Sequence, residues 1–299
     1  MTNASDPTNP HAAIRNAFQH ELSQHGFGFQ HAVIDRARKI YATAGSLWEV
    51  IASEVPVDLG SGTRIDVVMR LKKMLASTLL IGECKKVNPA YSTWCFIPSP
   101  FTHANRLRDH EQLSLECLSY KMGAAVGVAQ RHGIFLDPAY SIGLAIKEGR
   151  QGDPQPKRGS SSDAIEDAAT QVTRGTNGLV NALVTYPDIL SDDRLNILLP
   201  VIFTSAKLFV SKTNLANSLL DGNVDLSGDA FEQVSWLWYQ YHTSPTLKHE
   251  YPLERGPIKS FDSLMETFYI RTIAVVGQGG LEAFLRWTTD RDFGVGRFD

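Results

Sequence analysis

Residues 60–86 read GSGTRIDVVMRLKKMLASTLLIGECKK, and this stretch contains two segments with contrasting hydrophobic patterns. Apolar and polar side chains alternate over residues 63–70, with the period of two that a half-buried strand requires. Residues 78–86 begin as a continuous apolar run and end in charged side chains, as a buried strand does where it emerges at a site. The sequence therefore predicts two neighbouring strands, the first carrying Asp66 and the second carrying Glu83.

The spacing of the charged residues gives these strands a chemical meaning. Glu83 and Lys85 are two residues apart and therefore share one face of a strand. If the two strands pair through the turn between them, Asp66 lies beside Glu83. Two carboxylates suit Mg²⁺, with Mn²⁺ as a substitute, because Mg²⁺ takes few protein ligands and keeps waters or phosphate oxygens in its shell. We expect Asp66 and Glu83 to bind the metal and Lys85 to assist the attacking water.

This pattern of Asp66 followed by Glu83-x-Lys85 on a second strand resembles the PD-(D/E)xK nuclease superfamily. A helical pattern over residues 29–44 precedes the strands, a second helix is expected at residues 163–184, and two short apolar strands are expected within 198–210. The resemblance implies an α/β fold with a restriction-endonuclease-like core, in which helices flank a mixed central sheet. A long insertion and a C-terminal extension are added to this core.

The same resemblance sets the expected domain organisation. Residues 1–28 form an N-terminal tail and a short helix, and residues 29–215 form the nuclease core, which includes an insertion at 87–160. Residues 216–299 form a C-terminal extension that packs on the core.

The C-terminal glycines 277, 279 and 280 look like a dinucleotide-phosphate turn, but too little chain follows to supply the second parallel strand and the acidic residue of that motif.

The resemblance also implies the activity. It predicts a Mg²⁺-dependent endonuclease, rather than an exonuclease, that cleaves nucleic acid in bacterial restriction or phage defence. The resemblance favours DNA over RNA as the substrate. A homodimer is expected because many nucleases of this kind cut both strands as dimers. One alternative is a catalytically silent nuclease-like module that binds nucleic acid or a partner protein. Another is an unrelated globular protein in which a strand merely ends in solvated charges.

A further acidic residue is an open question. Residues 26–30, GFGFQ, resemble the Gly-aromatic-x-Phe-Glu start of the first core helix in Mrr-like members, but Gln30 replaces the acid. Gln30 is a candidate site residue that could donate a hydrogen bond to a metal-bound water, or it could be an ordinary helix-surface residue. Glu49 and Glu54 are alternative carboxylates. Glu49 reads as part of a capping box that begins a helical turn at Ser46, and Glu54 as part of an edge strand.

The overall composition excludes a strong general attraction to nucleic acid. The 299 residues carry a net charge of −3, so phosphate contacts must come from local basic groups. Candidates are Arg64, Arg70, Lys72, Lys73, Lys85, Lys86 and the pair Lys157-Arg158. Three cysteines without a C-x-x-C motif indicate free thiols. The N-terminus has no signal pattern and no apolar run is long enough to cross a bilayer, so we expect a cytoplasmic protein without membrane contact.

The insertion at 87–160 is a candidate for substrate selection. Its aromatic residues, including Trp94 and Phe96, could stack on bases, and the polar loop at 149–162 could reach a nucleic-acid backbone. The competing interpretation is that Trp94 and Phe96 belong to the core. Gln171, on the helix expected at 163–184, is a weaker candidate for positioning phosphate or water.

Overall fold

A computed structural model gives the fold of the protein. It describes residues 10–44, 47–57, 62–73, 76–98, 111–112, 115–119, 127–131, 135–136, 140, 142–146, 163–186, 195–211, 220–221, 231–243, 247 and 270–290. Several predicted features lie outside the described residues: most of the N-terminal tail, Ser46, the polar loop at 149–162 and the Lys157-Arg158 pair.

Helices and strands follow each other along the chain in the manner of an α/β protein. The helices are α1 (Pro10–Gln24), α2 (Phe27–Ala44), α3 (Asp163–Thr185) and α4 (Leu281–Asp290), with a 3₁₀ turn at Pro89–Tyr91. The strands, in chain order, are β1 (Trp48–Pro56), β2 (Arg64–Lys72), β3 (Ala76–Lys85), β4 (Thr93–Ile97), β5 (Glu111–Gln112), β6 (Leu115–Ser119), β7 (Gly127–Arg131), β8 (Phe135–Leu136), β9 (Ile142–Ile146), β10 (Leu195–Thr204), β11 (Lys207–Ser211), β12 (Phe231–Val234), β13 (Trp236–His242) and β14 (Ile270–Val276). The helices predicted at 29–44 and 163–184 and the strands predicted at 63–70 and 78–86 are confirmed, as α2, α3, β2 and β3.

The first three strands form an antiparallel meander at one edge of the main sheet. β1 pairs with β2, and β2 pairs with β3. The register between β2 and β3 places Val67 opposite Gly82. Asp66 precedes Val67 and Glu83 follows Gly82, so the two acids lie at the same end of this strand pair.

The prediction that Glu49 begins a helical turn is wrong. Glu49 lies in β1, opposite Arg70 of β2, and its carboxylate is 2.9 Å from an Arg70 guanidinium nitrogen. The preceding residue, Trp48, is buried, and its indole N–H donates to the Leu285 carbonyl and the Thr288 hydroxyl of α4. These long-range contacts hold the segment extended, where a capping pattern in the sequence had indicated a helix.

The main sheet is mixed, with the strand order β1-β2-β3-β10-β14-β13. β10 runs parallel to β3, with Ile202 opposite Glu83 and Thr204 opposite Lys85. β14 is parallel to β10, and β13 is antiparallel to β14. β6 pairs with the first residues of β10, and β7 pairs with β6. Glu83 and Lys85 are therefore carried by an interior strand.

Helices cover both faces of this sheet. α2 and α4 pack on one face, in a cluster that includes Ile34, Met69, Leu80, Cys84 and Phe284. α3 packs on the opposite face, in a cluster that includes Ile81, Ala168, Val172 and Ile202. Because alternate residues of a strand share a face, Glu83 and Lys85 lie on the α3 side of β3 and Cys84 lies on the α2 side. The protein is thus α/β, with a mixed multistranded sheet flanked by helices, as predicted.

A second sheet contains strands from the segment predicted as an insertion. Its order is β12-β11-β4-β9, and β5 pairs separately with β8. Trp94 and Phe96 of β4 are completely buried and pack with α3. They cannot stack on bases of a substrate, so the prediction that these two aromatics select the substrate is wrong, and their core interpretation is confirmed. Trp94 and Phe96 are two residues apart and so share the face of β4 that belongs to the α3 cluster.

Two further properties of the described part of the chain bear on earlier expectations. Cys84 and Cys95 are buried free thiols, as the cysteine pattern predicted for them. No helix in that part combines the length and the apolar character that crossing a membrane requires.

Candidate active site

A pocket opens at the end of the main sheet where β2 begins and β3 finishes. Asp66, Glu83, Lys85 and Gln30, the four residues predicted from the sequence as site residues, all line it. The remaining lining residues come from the turn between α1 and α2, from β1 and β2, from the end of β3 and from α3: His25, Gly26, Phe27, Glu54, Gly62, Arg64, Cys84, Lys86 and Gln171. Five separate segments of the chain therefore meet at one place.

Asp66 is fixed to the neighbouring strand by its own carboxylate. Its Oδ2 atom accepts a hydrogen bond from the backbone N–H of Cys84, at 2.7 Å. Burial raises the pKa of Asp66, and the bond from Cys84 opposes that rise. The charge of Glu54 raises this pKa further, and the charge of Lys85 lowers it. The carboxylate is thus held in place while its negative charge remains only partly compensated.

Glu83 is the more strongly perturbed of the two acids. Burial, followed by the negative charge of Asp66, raises its pKa to about 8. The positive charge of Lys85 lowers this pKa, and the negative charge of Glu54 raises it. Glu83 therefore keeps its proton near neutral pH, where an ordinary glutamate would have lost it.

Lys85 shares a strand face with Glu83 and lies opposite Thr204 in the ladder between β3 and β10. Its charge lowers the pKa of both acids. The other basic groups divide into two sets. Arg64 and Lys86 line the pocket, whereas Arg70 and Lys72 lie toward the opposite end of β2. Arg70 and Lys72, two of the candidate phosphate contacts, therefore do not line the pocket, because β2 runs away from it.

Glu54 is a third carboxylate at the pocket, and the sequence had ranked it below Asp66 and Glu83. Its backbone φ is +53°, in the left-handed region, which costs a non-glycine residue roughly 1 kcal/mol or more. In the ladder of β1 and β2, Glu54 lies between the pairs Ser53–Val67 and Val55–Ile65. The irregular backbone directs its side chain toward the pocket instead of along the edge of the sheet.

Gln30 connects Glu54 to Asp66. It is 6% exposed, and its Nε2 group donates to the Glu54 carboxylate and, at 3.0 Å, to the backbone carbonyl of Asp66. Both amide hydrogens are thus used by protein groups. Arg64 lies 3.7 Å from the other oxygen of Glu54. In this arrangement Gln30 orients two segments of the pocket, whereas the sequence had left open a direct bond from Gln30 to water.

The thiol of Cys84 takes no comparable part. Burial, followed by the charges of Asp66 and Glu83, raises the pKa of this thiol, so it stays protonated and unreactive at neutral pH. The backbone N–H of the same residue is what contacts Asp66.

The side chains of the pocket fit a hard cation such as Mg²⁺. In the part of the chain that the structure describes, no group of three or more His, Cys, Asp or Glu side chains is arranged to hold a metal ion. Mg²⁺ does not need such a cage, since it is usually bound by one or two carboxylates together with waters and substrate phosphates. Asp66 and Glu83 could provide that pair. Burial is the main cause of the raised pKa of both acids, and the negative charge of Glu54 adds to it.

In comparisons with models of protein families, with curated proteins and with solved structures, none matches this chain. The resemblance to PD-(D/E)xK nucleases therefore depends on the residues and the element order of this chain.

Proposed function

We propose that this protein is a Mg²⁺-dependent nuclease that cleaves phosphodiester bonds of DNA endonucleolytically, with Mn²⁺ able to substitute. The observation that carries the proposal is that Asp66, Glu83 and Lys85 meet in one pocket. The Asp66 carboxylate is hydrogen-bonded to the strand that carries the other two. Two oxygen ligands beside an ammonium group form the minimal arrangement for metal-assisted hydrolysis of a phosphodiester.

The element order supports a restriction-endonuclease-like core. α2 precedes three antiparallel strands, β1 to β3, and α3 precedes β10, which pairs in parallel with β3. The acids lie at one end of the strand pair β2 and β3, and α2 and α3 cover opposite faces of the sheet. On this proposal, the strands between β3 and α3 and those after β11 are additions to the core.

Four residues of the pocket, Gln30, Asp66, Glu83 and Lys85, have roles in the proposed reaction. When bound, Mg²⁺ would offset charge on a phosphoryl oxygen and lower the pKa of a coordinated water. Asp66 and Glu83 would hold the metal through their carboxylates, with Glu83 in its deprotonated form. Lys85 orients the attacking water and stabilises the charge that develops on the phosphate. Gln30 is a positioning residue, since it holds the Glu54 side chain and the Asp66 backbone.

Cationic side chains of the pocket support a phosphate-containing substrate. Arg64, Lys85 and Lys86 are three positive charges in a pocket whose acids are Glu54, Asp66 and Glu83. Because the net charge of the chain is −3, attraction to DNA would be local and would weaken with added salt.

The absence of an acid at position 30, where Gln30 stands, is an argument for the silent-module alternative. That argument is weakened by Glu54, whose carboxylate accepts a hydrogen bond from Gln30 and so brings an acid from β1 to this position. The two proposals differ in metal affinity. Unfolding temperatures with and without metal distinguish them, because a ligand that binds the native state must raise the unfolding temperature.

The test is cleavage of supercoiled plasmid and of single-stranded DNA with Mg²⁺ or Mn²⁺. The wild type is compared with Asp66→Asn and Lys85→Met, and Lys72→Met at the far end of β2 serves as the matched lysine control. We expect metal-dependent cleavage that both site variants lose and the control keeps. A wild type that shows neither cleavage nor a rise in unfolding temperature with metal would contradict the proposal.

A further inference from the structure

An aromatic ring faces solvent on the wall of the pocket. Phe27, the first residue of α2, lines the pocket and is 55% exposed. Phe29, two residues later, packs against the core cluster beneath α2. The ring centroid of His25, which also lines the pocket, is 6.0 Å from that of Phe27. Single exposed apolar residues are common on protein surfaces, but this ring borders a cleft of charged groups.

Groups that attract phosphate line the same pocket as the ring. The Gly26 carbonyl accepts hydrogen bonds from the N–H groups of Phe29 and Gln30, both at 3.0 Å, so α2 begins at this point. The first N–H groups of a helix lack intrahelical partners and favour anions. Arg64 and Lys86 add positive charge to the same pocket. One pocket thus combines a flat apolar surface with cationic groups, and proteins bind single strands with such a combination.

We propose that the pocket takes an unpaired nucleic-acid strand, with one nucleobase stacked on Phe27 and a neighbouring phosphate held by the cationic side chains Arg64 and Lys86 of the same pocket. This inference rests on the proposed nuclease function and adds the class of substrate. An unpaired base can turn its face to a side chain, whereas a base in a duplex is covered by its neighbours and must first be flipped out. Single-stranded DNA, or a frayed or looped region of a duplex, is then the preferred substrate.

The test measures binding separately from cleavage. The full chain carrying Asp66→Asn binds a fluorescent single-stranded DNA oligonucleotide, and affinity is followed by anisotropy at fixed salt. Phe27→Ala is added to this background, and Tyr41→Ala is the matched control. Tyr41 is another exposed aromatic of α2, with 51% exposure, and it does not line the pocket. A second probe has the same sugar–phosphate backbone with abasic positions.

Phe27→Ala should weaken binding of the normal strand on the order of 10-fold, the loss of one stacked base. Tyr41→Ala should change it little, and Phe27→Ala should not affect the abasic strand or the matching duplex. Equal effects of Phe27→Ala and Tyr41→Ala, or an equal loss with the abasic strand, would overturn the inference even if the wild type cleaves DNA. Phe27-dependent binding by a wild type that shows neither cleavage nor a metal-induced rise in unfolding temperature would keep the stacking site and contradict the nuclease.

Discussion

The carboxylate of Asp66 accepts a hydrogen bond from the backbone N–H of Cys84, with 2.7 Å between Oδ2 and N. This bond joins the acid of β2 to the residue between Glu83 and Lys85 on β3. It does not involve the sulfur of Cys84, so the sequence at position 84 can vary without removing it. The position of the Asp66 carboxylate relative to β3 is therefore fixed by a short side chain bonded to the backbone of the neighbouring strand.

Substitutions of Asp66 should separate its charge from its hydrogen bond. Asp66→Asn keeps an oxygen that accepts from Cys84 and removes the charge, whereas Asp66→Ala removes both. We expect each variant to lose the metal-induced rise in unfolding temperature. Urea unfolding at neutral pH should show the alanine variant to be less stable than the asparagine variant by about 1 kcal/mol, the usual contribution of one hydrogen bond. Equal stabilities would mean that the bond contributes nothing.

The raised pKa of Glu83 predicts how stability depends on pH. Between the ordinary value of 4.5 and about 8, the folded protein keeps a proton that the unfolded chain has lost. The contribution of Glu83 to the free energy of unfolding is therefore full below pH 4.5, declines as the pH rises, and is lost above about pH 8. Urea unfolding across this range should show a steeper decline for the wild type than for Glu83→Gln.

The same proton predicts a pH dependence of metal binding. Mg²⁺ must displace the proton of Glu83, so the metal-induced rise in unfolding temperature should grow as the pH approaches about 8. Calorimetry in buffers of different ionisation enthalpy should detect proton release on binding. A metal effect that is independent of pH, with no proton released, would show that Glu83 is not a ligand.

Neighbouring charges should move this pH profile in opposite directions. Lys85 lowers the pKa of Glu83 and Glu54 raises it. Lys85→Met should therefore shift the onset of Mg²⁺ stabilisation to higher pH, and Glu54→Gln should shift it to lower pH. The measurement is the unfolding temperature with and without Mg²⁺ over a pH series.

Glu49→Gln is the matched control for Glu54→Gln. Both glutamates lie in β1, but Glu49 pairs with Arg70 and does not line the pocket. Its substitution should leave the pH profile unchanged. A shift of equal size in the two variants would mean that general surface charge, and not the position of Glu54, determines the effect.

The helices, the paired strands and the Asp66/Glu83/Lys85 set could be predicted because their signals are local. Alternation over β2 and the apolar run of β3 specify each strand, and a spacing of two places Glu83 and Lys85 on one face. The meander then needs only a short turn to bring Asp66 to the same end. Short-range periodicity was therefore enough to predict that Asp66, Glu83 and Lys85 lie at one end of the strand pair.

The positions of Glu54 and Glu49 depended on contacts between residues that are far apart in the sequence. Glu54 reaches the pocket through a left-handed backbone and a hydrogen bond from Gln30, twenty-four positions away. Nothing in the sequence around Glu54 indicates that conformation, since a glycine or asparagine would be its usual signal. Glu49 similarly joined a strand because Trp48 is anchored on α4. The aromatic character of Trp94 and Phe96 did not distinguish core from binding surface, because both uses favour the same residues.

Gly82 precedes Glu83 and should tolerate no side chain. A Cβ atom there would lie 2.5 Å from Cγ1 of Val67 and 2.8 Å from Cε2 of Phe203, and both side chains are buried with little room to move. Gly82→Ala should lower the free energy of unfolding by about 1–3 kcal/mol. It should also reduce the metal-induced rise in unfolding temperature, since β3 must shift against β2 beside both acids.

Gly279→Ala, where a Cβ would meet nothing within 4 Å, is the control and should change stability by less than about 0.5 kcal/mol. A Gly82→Ala protein as stable and as responsive to Mg²⁺ as the control would mean that the strands can separate here at no cost, contrary to the close packing that positions Asp66 and Glu83.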